Sequence, residues 1–161
     1  MATVDEYELP ADRWYDPREH LWVRPEPADV TTARVDGQAG RSARAGGMIL
    51  RVGVDALGQA LLGQVVYIQL VEAGVGVRRG EAVGSLEAEK MVRPVLAPVS
   101  GTIVAVNAAI VASPRLANTD PYGQGWFFRV RPTDWDAERP FLLHGDEAVT
   151  TWARAEIEAS R

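Results

Sequence analysis

The stretch GSLEAEKMVRPVLAPVSG, residues 84–101, predicts two short strands joined by a tight turn. Strand-forming residues occupy 83–87 and 92–97, so the residues between them form the tip of a strand–turn–strand unit. That tip carries Lys90, the only lysine in a chain whose other sixteen long-chain cations are all Arg. We therefore expect Lys90 to be exposed and presented away from the fold.

Further short strand patterns lie on both sides of this unit and are separated by turns every eight to twelve residues, a spacing typical of small sandwiches and flattened barrels. The segment 107–116 has no clear periodicity and is expected to be irregular, and 25–47 is read as a loop with a weak strand around 30–35. The additional strands are predicted at 21–23, 48–54, 64–71, 102–107 and, after a turn, within 120–132. A further turn is expected at 98–101.

Two helices complete the prediction. Asp55 is expected to cap a short helix over 55–63 that Gly63 ends. A C-terminal helix over 146–158 follows from apolar residues at helical spacing, with Asp146 as its cap. The fold class is therefore mainly β: a flattened barrel-sandwich hybrid of two small antiparallel sheets, with a short helix and a C-terminal helix.

Composition limits the possible functions. The chain has 161 residues and a net charge of −5, which argue for one domain and against a surface that binds nucleic acid or anionic membrane. It has no cysteine, which excludes disulfides, thiolate metal sites and cysteine nucleophiles. The acidic, polar N-terminus does not resemble a secretory signal, so we expect a cytoplasmic protein.

The residues available for catalysis are few. His20 and His144 lie far apart in the sequence, and neither has a partner at metal-ligand spacing, so both are interpreted as structural. Phosphate-binding loops and nucleophile motifs are not found in the sequence. We expect no catalytic residue and no metal site, and a protein that carries a group rather than one that catalyses.

A lysine at such a turn can be a carrier site. Its primary amine can form an amide with a carboxylic acid, which the delocalised guanidinium of Arg does not do readily. Glu87 and Glu89 add a charge pattern, and Met91 completes the turn that an attaching enzyme would recognise. The residues alone leave open a plain surface lysine in a protein with a compositional preference for Arg.

Several segments together resemble the glycine cleavage H protein branch of the biotinyl/lipoyl carrier superfamily. The APVSGTIVAVN stretch is typical of the superfamily, whereas DPYGQGW is more specific to the H-protein branch. The resemblance covers 13–132, which implies an N-terminal extension at 1–12, a loop insertion at about 25–47 and a C-terminal helical extension at 133–161. The segments are HLWV (20–23), RVGV (51–54), GQALLGQVVYIQL (58–70), LEAEKM (86–91), APVSGTIVAVN (97–107) and NTDPYGQGWFFRVRP (118–132).

The resemblance implies a lipoyl carrier. Lipoate would be attached to Lys90 as an amide, by a lipoate ligase or lipoyl transferase, and the arm would serve glycine decarboxylase, aminomethyltransferase and dihydrolipoamide dehydrogenase. The dithiolane would supply the redox-active sulfur that a chain without cysteine lacks. The carrier is expected to be a monomer. Arm-adjacent positions are implied for the turn residues Tyr122, Gly123, Gly125 and Trp126.

Three alternatives stay open. The turn Lys90-Met91-Val92-Arg93-Pro94-Val95 is also similar to the lipoate-binding H-like proteins that serve sulfur-transfer, heterodisulfide-reductase-like complexes. The pair Lys90-Met91 is shared with biotin carriers, whose arm moves carboxyl groups. A third alternative is an unmodified interaction module with a free amine.

Overall fold

The computed structural model describes residues 2–4, 7–27 and 48–159, and this part of the chain is mainly antiparallel β structure. Its strands are β1 (Ala2–Val4), β2 (Tyr7–Leu9), β3 (Trp14–Asp16), β4 (Leu21–Pro27), β5 (Met48–Val54), β6 (Val65–Leu70), β7 (Gly76–Val77), β8 (Ala82–Ala88), β9 (Val92–Leu96), β10 (Gly101–Val106) and β11 (Phe128–Pro132).

The helices are short except for the last. They are α1 (Ala56–Leu62), α2 (Ala108–Ala112), α3 (Leu116–Thr119), α4 (Trp135–Glu138), a 3₁₀ turn (Arg139–Phe141) and α5 (Asp146–Ala159). Among the described residues, no helix combines the length and the apolar character that crossing a membrane requires.

Two antiparallel sheets form the body of the fold. The larger sheet has the strand order β3-β4-β5-β11-β10-β7, the smaller has the order β6-β8-β9, and β1 pairs with β2 as a separate hairpin. No strand pairing joins the two larger sheets within the described ranges, so they form an open sandwich and not a closed barrel. The predicted class of two small antiparallel sheets with a few helices is confirmed.

The main hydrophobic core lies between the two sheets. Leu21 and Val23 of β4 belong to it, while Trp22 between them belongs to a second cluster, as expected from the two-residue alternation of a strand. The smaller sheet contributes its buried alternate residues, among them Ile68 and Leu86. This burial fixes which face of the smaller sheet is exposed.

The second cluster joins the larger sheet to the chain ends. Trp22 and Tyr15 are fully buried there, with Leu57 of α1 and with Val149 and Ala153 of α5. Burying an aromatic side chain of this size contributes about 2–3 kcal/mol. The segment after residue 132 therefore shares a core with the sheet, and so does β2, through Leu9.

The segment 107–116 differs from the prediction, because it is largely helical. The side chain of Asn107 accepts a hydrogen bond from the Ala109 amide (3.1 Å) and caps α2, and α3 begins at Leu116. These helices are only five and four residues long, too short to show periodicity in the sequence.

Four smaller expectations need correction or cannot be compared. Helix α5 begins at Asp146 itself, and the Val149 amide bonds to the Gly145 carbonyl (3.0 Å). Gly101 was expected in a turn but begins a strand, where a Cβ would collide with the Arg131 carbonyl oxygen. Strand β4 runs to Pro27, into the range expected to be loop. The strand expected at 30–35 lies outside the described residues.

Candidate functional site

The turn between β8 and β9 carries Lys90 at the end of the smaller sheet. The Ala88 amide donates to the Met91 carbonyl at 2.9 Å, which closes the turn. The side chains of Glu87, Glu89, Lys90 and Met91 are all exposed. The four residues predicted for the attachment turn are thus brought together, and the Lys90 side chain is exposed to solvent.

The turn is fixed to the end of α1. The Lys90 amide donates to the Leu62 carbonyl (3.2 Å), and the Glu89 amide donates to the Gln64 carbonyl (2.9 Å). The Glu89 carboxylate accepts a bond from the Gln64 amide (2.9 Å), so this side chain holds the turn in place. The Lys90 backbone is therefore held rigidly, while its amine reaches, among the described residues, only the Ala60 carbonyl, at 3.3 Å.

The corner between α1 and β6, on which the turn rests, needs two particular residues. Gly63 has φ +75° and ψ −154°, a conformation that essentially only glycine adopts. The Asn118 side chain donates to the Gly63 carbonyl (2.7 Å) and to Gln59 Oε1 (3.0 Å), and accepts from the Val65 amide (2.8 Å). Three backbone or side-chain groups at this corner are thus satisfied by one side chain.

A cavity of about 300 Å³ adjoins the Lys90 side chain. Its wall is apolar along α1 and has polar groups from His20 and from Glu156 of α5. Such a cavity can accommodate an extended flexible group bound to Lys90. The lining residues are Tyr7, His20, Leu57, Ala60, Leu61, Lys90, Glu156 and Ile157.

His20 connects this cavity to α1 and α5. Its Nε2 lies 2.9 Å from Glu156 Oε1, and its Nδ1 lies 3.6 Å from Asp55 Oδ1, too far for a hydrogen bond. Burial alone lowers the pKa of His20, but the adjacent Asp55 and Glu156 carboxylates outweigh it, so the pKa is raised above its usual value. The two carboxylates thus favour the protonated form of His20 more than in a free imidazole.

The chain matches proteins of one family in three comparisons. The family model for glycine cleavage H-protein matches residues 41–155. The glycine cleavage system H protein of Thermus thermophilus is 39% identical over 127 residues, which cover 79% of this chain and 83% of the relative. That of Mycobacterium avium is also 39% identical, over 79% of this chain and 81% of the relative. The chain belongs to the glycine cleavage H-protein family.

The fold agrees with this assignment. The crystal structure of a glycine cleavage system H protein from Mycobacterium marinum superimposes with a TM-score of 0.65 at 35% identity, and the match covers 89% of this chain and 98% of that one. Membership makes the chain a carrier component of H-protein type, a class that carries lipoate and is not itself catalytic. The resemblance inferred from the motifs is confirmed.

Tyr122 in the H-protein motif DPYGQGW lies at the opposite end of α1 from Lys90. Its hydroxyl donates to the Glu8 carbonyl (2.7 Å) and accepts from the Ala56 amide (2.8 Å), at the first residue of α1. Burial raises the pKa of Tyr122, so it stays neutral and keeps both bonds. Trp22 Nε1 adds a bond to the Pro121 carbonyl (2.9 Å). Tyr122 thus positions the helix whose other end supports the attachment turn.

The remaining residues of that motif shape its own turn. A Cβ on Gly123 would lie 2.5 Å from the Asp120 carboxylate, and one on Gly125 would collide with the Leu116 carbonyl oxygen. The Trp126 ring faces the guanidinium of Arg129 at 5.2 Å. The lining residues of the cavity beside Lys90 include none of Tyr122, Gly123, Gly125 and Trp126.

Three contributors to the site were missed in the sequence. Asn118 lies within a quoted motif, but its role depends on the distant corner at Gly63. Glu156 lies within the predicted C-terminal helix, and nothing local points it to His20. For Glu89, predicted as a recognition charge, the contact that was missed is the bond its carboxylate accepts from the Gln64 amide. Each of these roles depends on contacts between residues far apart in the chain.

Proposed function

We propose that this protein carries lipoate as an amide on Lys90 and moves the intermediates of glycine cleavage between glycine decarboxylase, aminomethyltransferase and dihydrolipoamide dehydrogenase. The single observation that carries the proposal is the position of the only lysine, exposed on a turn whose backbone is fixed to α1. Membership of the H-protein family supports the same cofactor and the same partners.

The surroundings of the amine suit acylation. In the described part of the chain, the side-chain amine of Lys90 makes no ion pair. Its one hydrogen bond is to the neutral carbonyl of Ala60. Converting the ammonium to an amide removes its charge, so a salt bridge would normally be lost, but none is lost here. Acylation thus leaves no carboxylate of the described residues without its partner.

The chain's own contribution is presentation. When bound, lipoate supplies a disulfide that can be reduced to a dithiol and reoxidised. Glu89 and the corner at Gly63 hold the base of the arm, Glu87 and Met91 remain exposed for recognition by a lipoate ligase or lipoyl transferase, and the cavity beside Lys90 offers the arm a partly apolar wall. For Tyr122, Gly123, Gly125 and Trp126 we propose an indirect part, through the position of α1.

Intact mass after co-expression with a lipoate ligase tests the attachment. We expect one lipoyl group on the wild type and none on Lys90→Arg, which keeps the charge and leaves the turn folded. A biotin adduct would select the biotin carrier, and a bare lysine would leave only the unmodified module. Both results contradict the proposal.

A reconstituted assay tests the pathway. Lipoylated protein should restore glycine decarboxylase turnover, and Lys90→Arg should not. Sulfur-transfer activity without glycine decarboxylase activity would assign the protein to the heterodisulfide-reductase-like systems instead. That alternative shares the arm and differs only in the partner enzymes.

A further inference from the structure

Arginine side chains gather on the outer face of the larger sheet. Arg24 of β4 pairs with Arg51 of β5, and Arg51 pairs with Arg129 of β11, so the three lie directly opposite one another on adjacent strands. Arg131 lies two residues further along β11 and therefore on the same face. These four residues, Arg24, Arg51, Arg129 and Arg131, are called the arginine cluster.

The arginine cluster faces away from the sheet that carries Lys90. Val23, Val52 and Phe128, which precede or follow its members along the three strands, belong to the main core between the two sheets. Because side chains alternate between the two faces of a strand, the arginines lie on the other face of the larger sheet. A partner bound to the cluster therefore leaves Lys90 uncovered.

The cluster holds positive charge that its surroundings do not balance. Like charges directly opposite one another on adjacent strands destabilise a sheet unless anions compensate them. Within the described residues, two carboxylates form ion pairs with the cluster, Glu26 and Asp12, and Asp12 also pairs with Arg13 at 2.6 Å. Arg131 forms no ion pair in this part of the chain. Two of the four positive charges are thus left for an anion from outside.

Glu26 shows how the cluster holds a carboxylate. Its Oε2 lies 3.1 Å from Arg51 Nη2 and its Oε1 lies 3.4 Å from Arg129 Nε, so one carboxylate bridges two strands. The Trp126 ring faces both guanidiniums, at 5.4 Å from that of Arg51 and 5.2 Å from that of Arg129, and limits their movement. The Arg51 and Arg129 side chains remain 22% and 31% exposed. Each guanidinium has five N–H donors, so donors that Glu26 does not use are open to a further carboxylate.

We propose that the arginine cluster binds an acidic segment of a partner protein, whose adjacent Asp or Glu carboxylates lie between guanidiniums as Glu26 does. Charge complementarity selects this partner, because the cluster concentrates cations on one face of a chain whose net charge is −5. The same net charge repels the long phosphate backbone of a nucleic acid beyond the cluster. The inference does not depend on any group attached to Lys90, and it adds a docking surface separate from the attachment turn.

The test is the affinity of the full apo chain for a fluorescein-labelled hexaglutamate peptide at low ionic strength, measured by fluorescence anisotropy. The wild type should bind the peptide, with a Kd that rises as salt is added. Arg51→Gln and Arg129→Gln should each raise the Kd about tenfold, the loss expected for a charge-assisted hydrogen bond. Arg131→Gln removes no ion pair of the described residues, so it leaves the fold intact, and it should raise the Kd about threefold. The matched control is Arg154→Gln, which removes an exposed arginine from α5 and should change the Kd less than about twofold.

Three results would overturn the proposal. The first is a wild-type chain that does not bind hexaglutamate, and the second is an Arg154→Gln variant that loses as much affinity as the variants of the cluster. The third uses inorganic pyrophosphate as a competitor: if it displaces the labelled peptide at a lower concentration than unlabelled hexaglutamate does, the cluster is a site for phosphate groups. A failure of the wild type to become lipoylated would refute the proposed function alone, because the peptide titration uses the apo protein.

Discussion

Replacing Gly63 by Ala should disturb the base of the arm without touching Lys90 itself. Gly63 has φ +75° and ψ −154°, and a Cβ built there lies 2.6 Å from both Cγ and Oε1 of Glu89. The substitution therefore has two effects. It places a side chain in a backbone conformation that disfavours it, and it displaces the carboxylate that holds the attachment turn.

The two effects can be estimated separately. An alanine in this region costs about 1–3 kcal/mol in backbone strain. The flexible Glu89 side chain can move away from the new methyl group, but it then loses its bond to the Gln64 amide, worth about 1 kcal/mol. We expect Gly63→Ala to lower the free energy of unfolding by about 2–4 kcal/mol.

Urea denaturation followed by circular dichroism measures this loss as a lower midpoint at an unchanged slope. In a double-mutant cycle, Glu89→Ala alone should cost about 1 kcal/mol, and Gly63→Ala together with Glu89→Ala should cost about 1 kcal/mol less than the sum, because both remove the same bond. Apo Gly63→Ala should also be lipoylated more slowly. A Gly63→Ala protein within 0.5 kcal/mol of wild type, or strict additivity, would refute the reasoning.

Two further predictions concern the supports of the site. Because the pKa of His20 is raised on folding, its stabilisation is fully present below its ordinary value of 6.5 and is lost as pH rises through the folded pKa. Glu156→Gln should therefore lower the free energy of unfolding by about 0.5–1 kcal/mol below pH 6.5, and by progressively less as the pH rises through the folded pKa of His20. Thermal unfolding from pH 6 to 9 measures this difference, and any effect of the control Glu147→Gln on the same helix should not vary with pH. A difference for Glu156→Gln that stays constant with pH would contradict the contact between Glu156 and His20. Asn118→Ala should lower the free energy of unfolding by about 2–3 kcal/mol, because it leaves the Val65 amide and the Gly63 carbonyl without their partner. Urea denaturation measures this loss, and the control Thr119→Ala should lower the free energy of unfolding by less than about 0.5 kcal/mol. Equal losses for the two variants would contradict the role of Asn118.

Features encoded within a few residues could be predicted from the sequence. Asp55 caps α1 through the Gly58 amide at 2.7 Å, and Gly63 ends the helix, as both residue types indicate at those positions. The turn at Lys90 follows from two flanking strand patterns, and the motif of residues 118–132 led to the family. These features need no knowledge of the tertiary structure.

Features that depend on distant contacts could not be predicted. The bond between Glu89 and the Gln64 amide, and the contact of His20 with Glu156, join segments whose local sequences give no sign of each other. The exposed row of Tyr67, Glu87 and Val92 across the smaller sheet depends on strand register and on a bulge, and shifting the register by one residue would turn its side chains into the core.

Helix α1 belongs to both hydrophobic clusters, through Leu57 near its start and Leu62 at its end. Opening either cluster would expose apolar surface in the other, so local unfolding of α1 by itself is disfavoured. Under the proposed function, the carrier would thereby offer each enzyme that it visits the same preorganised epitope. Each encounter then avoids most of the entropic cost of ordering a flexible loop.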